Sequence, residues 1–235
     1  MGYTKLPLSL ISVLTFFICT VDYAQLPHDG SSGSWLEVYG NNKIGDNWSI
    51  PIAGILRHNE MLEKYDFSFI RTGISYQLSK SSIFTGGVAF LVSKNYSEIH
   101  ETTKTYQYWV YEQFALKSKF KRNIISHRWR LENRWIKSDQ KKHWNNRFRY
   151  RLQFVRPIYN DTYVKSFNEI FLSLDHSFFN QNRFYIGFGQ ILSPAIHIEI
   201  GYLKNHFKYS DRNFIRMAVT FRTKFSPKEI AQNTN

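Results

Sequence analysis

Apolar and polar residues alternate with a period of two over most of the chain, from Trp35 to Phe225. The clearest stretch is Arg128-Trp129-Arg130-Leu131-Glu132-Asn133-Arg134-Trp135, with Arg, Arg, Glu and Arg on one face and Trp, Leu, Asn and Trp on the other. Arg147-Phe148-Arg149-Tyr150-Arg151-Leu152-Gln153-Phe154 sets Arg, Arg, Arg and Gln against Phe, Tyr, Leu and Phe. A helix would mix these faces, whereas a strand separates them. Weaker alternation marks strands over 67–78, 83–93, 106–118, 165–175, 182–191, 196–206 and 213–225. Two less regular candidates span 34–40 and 47–57, the second interrupted by Pro51, which places it at an edge or an irregularity. That makes eleven candidates. Their connections are short near 79–82, 119–122 and 193–195 and longer near 58–66, 96–104, 138–144 and 207–212. Outer-membrane barrels alternate short turns with longer loops and have even numbers of strands of about 10 residues. The pattern therefore predicts an all-β, antiparallel up-and-down transmembrane β-barrel over 34–225, with a polar tail at 226–235. Twelve strands are expected, with ten as the alternative, and the miscount falls in the weakly patterned N-terminal region.

Ahead of the alternation, residues 1–5 carry one positive charge and 6–21 are almost wholly apolar, followed by Asp22-Tyr23-Ala24 and Gln25. This reads as a cleaved signal peptide, 1–24, followed by an N-terminal segment, 25–33. An uncleaved anchor is one alternative. A lipoprotein cut at Cys19 is another, although Ile18 is not the small residue such a cut requires. Cys19 is the one Cys, so an exported chain cut after Ala24 has no disulfides, and a closed sheet in a membrane is another source of stability. Aromatics make up 17% of the residues, which rules out a disordered chain. No stretch after the N-terminus holds 18 consecutive apolar residues, which excludes a helical membrane protein.

Periodicity alone does not say which face points inward. A soluble barrel puts Phe and Trp inside and Arg outside; a membrane barrel does the reverse. The export signal, the long strands and the rings near strand ends favour the membrane. Trp35, Trp48, Trp109, Trp129, Trp135, Tyr185 and Tyr202 are expected in interfacial belts, which attract amphipathic rings. Trp129, Leu131, Trp135, Phe148, Tyr150 and Phe154 are then expected to face lipid. Arg57, Arg71, Arg128, Arg130, Arg134, Arg147, Arg149, Arg151, Arg183 and Arg216 are expected to face the lumen, with Glu37, Glu112, Glu132, Glu169 and Glu199. Strands 124–137 and 145–157 are expected to form a hairpin that brings Glu132 to Arg147, Arg149 or Arg151, or else leaves it with an Arg of its own stripe.

Paired Arg and Glu can fill a narrow barrel as a hydrogen-bonded plug. Ten Arg and five Glu do not pair one to one. Unpaired guanidinium groups cannot stay dry without a large penalty, and Arg does not escape by losing its proton. Water, an anion or carbonyls from an inward-folded segment between Gln25 and Ser34 must meet them. The expected role is structural, or that of a narrow, largely plugged channel favouring anions. The expected partners are outer-membrane lipids and a small anionic solute.

Several stretches together resemble a known family. They are Arg71-Thr72-Gly73-Ile74-Ser75-Tyr76, His127-Arg128-Trp129-Arg130-Leu131-Glu132-Asn133-Arg134, Arg147-Phe148-Arg149-Tyr150-Arg151-Leu152, Asn168-Glu169-Ile170-Phe171, Gln181-Asn182-Arg183-Phe184-Tyr185-Ile186-Gly187 and Gly201-Tyr202. In order and spacing the chain is similar to the domain-of-unknown-function family 2490, uncharacterised outer-membrane β-barrels of Bacteroidota. The resemblance covers about 35–220. It implies a β-barrel in the outer membrane of a Gram-negative bacterium and supplies no activity. Phe221-Arg222-Thr223-Lys224-Phe225 is similar to the aromatic-ended last strand that barrel assembly machinery reads, which implies that machinery as a partner during insertion.

An outer-membrane hydrolase acting on lipid or lipopolysaccharide is an alternative, and so is a soluble periplasmic ligand-binding barrel. Ser126-His127 is the nearest Ser–His pair, but adjacent strand residues point to opposite faces. His176-Ser177 and Ser93 offer nothing better, and there is no G-x-S-x-G. No H-E-x-x-H or Cys–His metal spacing occurs, so no cofactor and no metal is expected. Glu132 and Glu169 are better read as ion-paired than as an acid pair. The net charge of +13 raises nucleic acid as a partner; the charges lie in period-two stripes rather than one patch, and the export signal removes the chain from the nucleoid. Lys119, Lys121 and Arg122, in a short turn, are instead expected to meet anionic head groups.

Overall fold

The computed structural model describes residues 32–96, 102–138, 141–175 and 178–224. The expected signal segment 1–24 and the expected tail 226–235 lie outside the described residues, as does the expected plug up to residue 31. The strands are β1 (Gly33–Lys43), β2 (Trp48–Glu60), β3 (Glu63–Gln77), β4 (Ser82–Tyr96), β5 (Thr102–Phe120), β6 (Asn123–Ser138), β7 (Lys142–Tyr159), β8 (Thr162–Ser173), β9 (Phe179–Ile191), β10 (Ile196–Phe207) and β11 (Asp211–Lys224). Each pairs antiparallel with its neighbours in sequence, and β1 meets β11 in parallel to close the barrel. No helix among the described residues is long and apolar enough to cross a membrane.

Eleven described strands fall between the ten and twelve expected. An odd number of up-and-down strands leaves the first and last pointing the same way, so the seam is parallel. It is continuous from Gly33 opposite Phe214 to Lys43 opposite Lys224. The eleven alternating segments are therefore the eleven strands, and the even-number rule gives way at the seam. The contrast in connection lengths also shrinks, because the strands run into the intended loops. The expected loop at 58–66 contracts to Met61 and Leu62, and β5 and β7 reach 19 and 18 residues.

Directly paired residues share a face, so the register fixes what points inward. In β6 and β7, Arg128 lies opposite Arg151, Arg130 opposite Arg149 and Glu132 opposite Arg147. All six face the lumen. Between them Trp129, Leu131, Trp135, Phe148, Tyr150 and Phe154 point outward, and exposed Ile70, Ile74, Val88, Val110, Ile200 and Phe188 share that outer face. A soluble barrel requires the opposite sidedness. Trp48, Trp129, Trp135 and Tyr202 point outward as expected of belt residues. Trp35, Trp109 and Tyr185 do not: they point inward and are 2%, 7% and 0% exposed. Ring count misplaces them because the lumen needs aromatic faces against its guanidinium groups.

Two local features adjust the wall. Pro51 has no N–H to donate, and the β2–β3 ladder skips Ile50 and Pro51. The register then shifts at Arg57/His58, so Asp66 and Phe67 are both buried although adjacent in sequence. Gly187 faces Gly201 across β9 and β10, where a methyl group on either would overlap strand backbone. The glycine pair lets the two strands approach under the ring of Tyr185.

Candidate functional site

Two carboxylates organise the cationic wall. Glu132 is fully buried and accepts from Arg147 (Nη2 to Oε2, 2.5 Å), Arg149 (Nη1 to Oε1, 2.6 Å) and Arg130 (Nη1 to Oε1, 3.4 Å). Glu169, also fully buried, accepts from Arg128 at 2.6 Å, Arg149 at 2.8 Å and Arg151 at 2.7 Å. Arg149 therefore bridges the two carboxylates. Alternation puts these groups on one face, and the β6–β7–β8 register stacks them side by side. Glu199 holds Lys165 at 2.8 Å and Arg216 at 2.9 Å, and Arg216 also donates to Glu37 at 2.7 Å. Asp66 holds Arg57 at 2.5 Å.

Three lumen arginines have no carboxylate within hydrogen-bond distance among the described residues. Arg71 donates to the Tyr39 hydroxyl and lies over the Tyr111 ring. Arg134 donates to the Asn145 side chain, and its Nε has no partner. Arg183 donates Nε to Asn205 at 2.8 Å, while its nearest carboxylate oxygen, on Glu169, is 3.9 Å away. The Arg183 guanidinium instead lies 4.6 Å from the Trp35 ring centre and 4.9 Å from that of Phe171. All three line a cavity of about 640 Å3 inside the barrel.

Glu112 leaves the lumen set. Tyr111 pairs with inward Glu132, so Glu112 pairs with outward Leu131 and faces outside beside Gly86. Parity read from the sequence suggested the inward face, but register decides, and both faces of β5 carry rings. Sequence reasoning also passed over residues the register brings in. Asp66 enters only through the β3 irregularity, which leaves no mark in the alternation. Lys165 shares the parity of Phe167 and Glu169 and could have been found by it. Gln113, which accepts from Arg130 at 2.5 Å, lies opposite it in β5.

The structure separates Ser126 from His127. Ser126 lies on the lumen face opposite Gln153, while His127 points outward, 2.9 Å from the Tyr150 hydroxyl and stacked on Trp129. Ser93 pairs with inward Phe67 in β4, and His176-Ser177 lies outside the described residues. Among the described residues no group of three His, Cys, Asp or Glu is placed to hold a metal ion.

A family model described as "Protein of unknown function (DUF2490)" matches residues 32–216. Among solved structures, the NanC porin in a rhombohedral crystal form matches with a TM-score of 0.49 and 11% identity, covering 80% of this chain and 97% of that one. No curated protein matches the chain.

Proposed function

The chain belongs to the family described as protein of unknown function (DUF2490), and we propose that it is an outer-membrane barrel with a narrow, anion-favouring lumen. The observation that carries this reading is the set Arg71, Arg134 and Arg183, which line the cavity with no carboxylate within hydrogen-bond distance among the described residues. A fixed positive field in a confined path favours anions. The paired groups around Glu132 and Glu169 act differently. They cross-link the wall and narrow the path, which gives the plugged, structural side of the role. The apolar outer face supports contact with lipid. Lys121 and Arg122 turn the chain between β5 and β6, where they can meet anionic head groups. Insertion through barrel assembly machinery remains part of the proposal, since the last strand carries Phe221 near its end.

The test is reversal potential in planar bilayers under a KCl gradient with the purified chain. Small conductance with chloride favoured over potassium is expected. Large, non-selective conductance counts against both the narrow path and the charge argument.

A further inference from the structure

The lumen cavity has two unlike walls. Arg130, Arg134, Arg147 and Arg149 line it from β6 and β7. From β2 to β5 an apolar patch of Ile55, Phe67, Phe69, Leu91 and Trp109, which belong to one packed cluster, lines it among the polar residues Arg57, Asp66, Arg71, Ser93, Asn95 and Gln107. Phe69 and Trp109 are in ring contact at 5.2 Å, and Arg147 lies 5.2 Å from the Trp109 ring centre, where the walls meet. Three buried donors on the lining have no acceptor, Trp35 Nε1, Arg134 Nε and Gln181 Nε2. Trp35 is only 2% exposed and the other two 8%.

This asymmetry selects among anions. The cationic wall offers donors to an oxyanion, and the guanidinium fork suits a carboxylate. The facing wall offers a patch of carbon between its polar groups. A hydrophilic anion rich in hydroxyl groups would strand them against Phe69 and Leu91, where unpartnered polar groups are costly. An acid with an apolar body matches both walls at once. Resting on the anion-favouring reading above, we propose that the cavity binds hydrophobic organic carboxylates, head toward Arg134 and body against Phe69 and Trp109. The volume of about 640 Å3 is ordinary for a site that encloses a small organic ligand.

The test is calorimetric titration of the full chain in nanodiscs, with empty nanodiscs subtracted. The probes are naphthalene-2-carboxylate, gluconate and naphthalene-2-methanol. The naphthoate is expected to bind at least about tenfold more tightly than either other probe, a separation of about 1.4 kcal/mol. Trp109→Ala is expected to weaken the naphthoate and leave gluconate unchanged. Should that variant fail to fold, the ranking on the unaltered chain still decides. Gluconate binding as tightly as the naphthoate overturns the amphipathic site and leaves the anion-favouring lumen standing. Equal binding of the alcohol overturns the oxyanion seat. A cation-favouring reversal potential, measured separately, sinks the underlying reading itself.

Discussion

At the scale of single residues, a buried charge is judged by what remains when its partner goes. Glu132 has no exposed surface and accepts from three arginines. Glu132→Gln keeps its shape and removes its charge, leaving Arg130 and Arg147 without a carboxylate. Removing one partner of a buried pair typically costs about 3–5 kcal/mol. The variant is expected to lose stability on that order, read from the urea midpoint of the folded barrel in detergent. An unchanged midpoint would mean that the lumen is wet enough to solvate the arginines. Glu112 gives the opposite sign. It faces outward in mid-β5, flanked by Val110 and Phe114 and opposite Leu131. A lipid-facing acid costs less than the roughly 2–4 kcal/mol of Lys or Arg near the midplane. Glu112→Leu is therefore expected to raise the same midpoint by about 1 kcal/mol of stability. A fall would show that Glu112 has a partner of its own on the outer face.

At the scale of elements, much could be read directly. Strict Arg–aromatic alternation identified β6 and β7, their hairpin, and the inward face that carries Glu132 and Arg147. It worked there because one face is charged and the other apolar. In β5 it did not, since Tyr108 and Val110 alternate with Trp109 and Tyr111 and neither face stands out. Only pairing with Arg134 and Glu132 shows that Trp109 and Tyr111 point inward. Cross-strand distances were likewise invisible: Arg183 and Glu169 share a face and a register position, yet their charged groups stay 3.9 Å apart. Glycine placement was visible as letters but not as geometry. At the Gly187–Gly201 pair, a side chain on Gly201 would meet the Ile186 carbonyl, the Gly187 backbone and the Tyr185 ring. Backbone cannot yield as a flexible side chain can, so Gly201→Ala is expected to cost about 1–3 kcal/mol. Refolding yield and urea midpoint check this, and a neutral result would show that β9 and β10 can part without penalty.

At the scale of the whole molecule, the lumen arginines divide into two kinds, and the division is testable. Arg147, Arg149 and Arg151 each sit within 2.8 Å of a buried carboxylate oxygen. Removing one of them takes a close donor from buried Glu132 or Glu169, so selectivity and stability change together. Arg71, Arg134 and Arg183 have no such partner among the described residues, so removing their charge strands no carboxylate. They contribute field and hold the wall only through the neutral partners Tyr39, Asn145 and Asn205. The triple variant Arg71→Gln, Arg134→Gln, Arg183→Gln is therefore expected to fold with a near-native urea midpoint while its reversal potential moves toward the potassium value. Arg149→Gln, by contrast, is expected to unfold at clearly lower urea, because both carboxylates lose a shared donor. The shift should be largest at low ionic strength, where the Debye length is about 30 Å at 0.01 M, and shrink at 1 M salt, where it is about 3 Å. A triple variant that keeps its chloride preference at low salt would place the selecting field in the paired network, and the separation of the two kinds would fail.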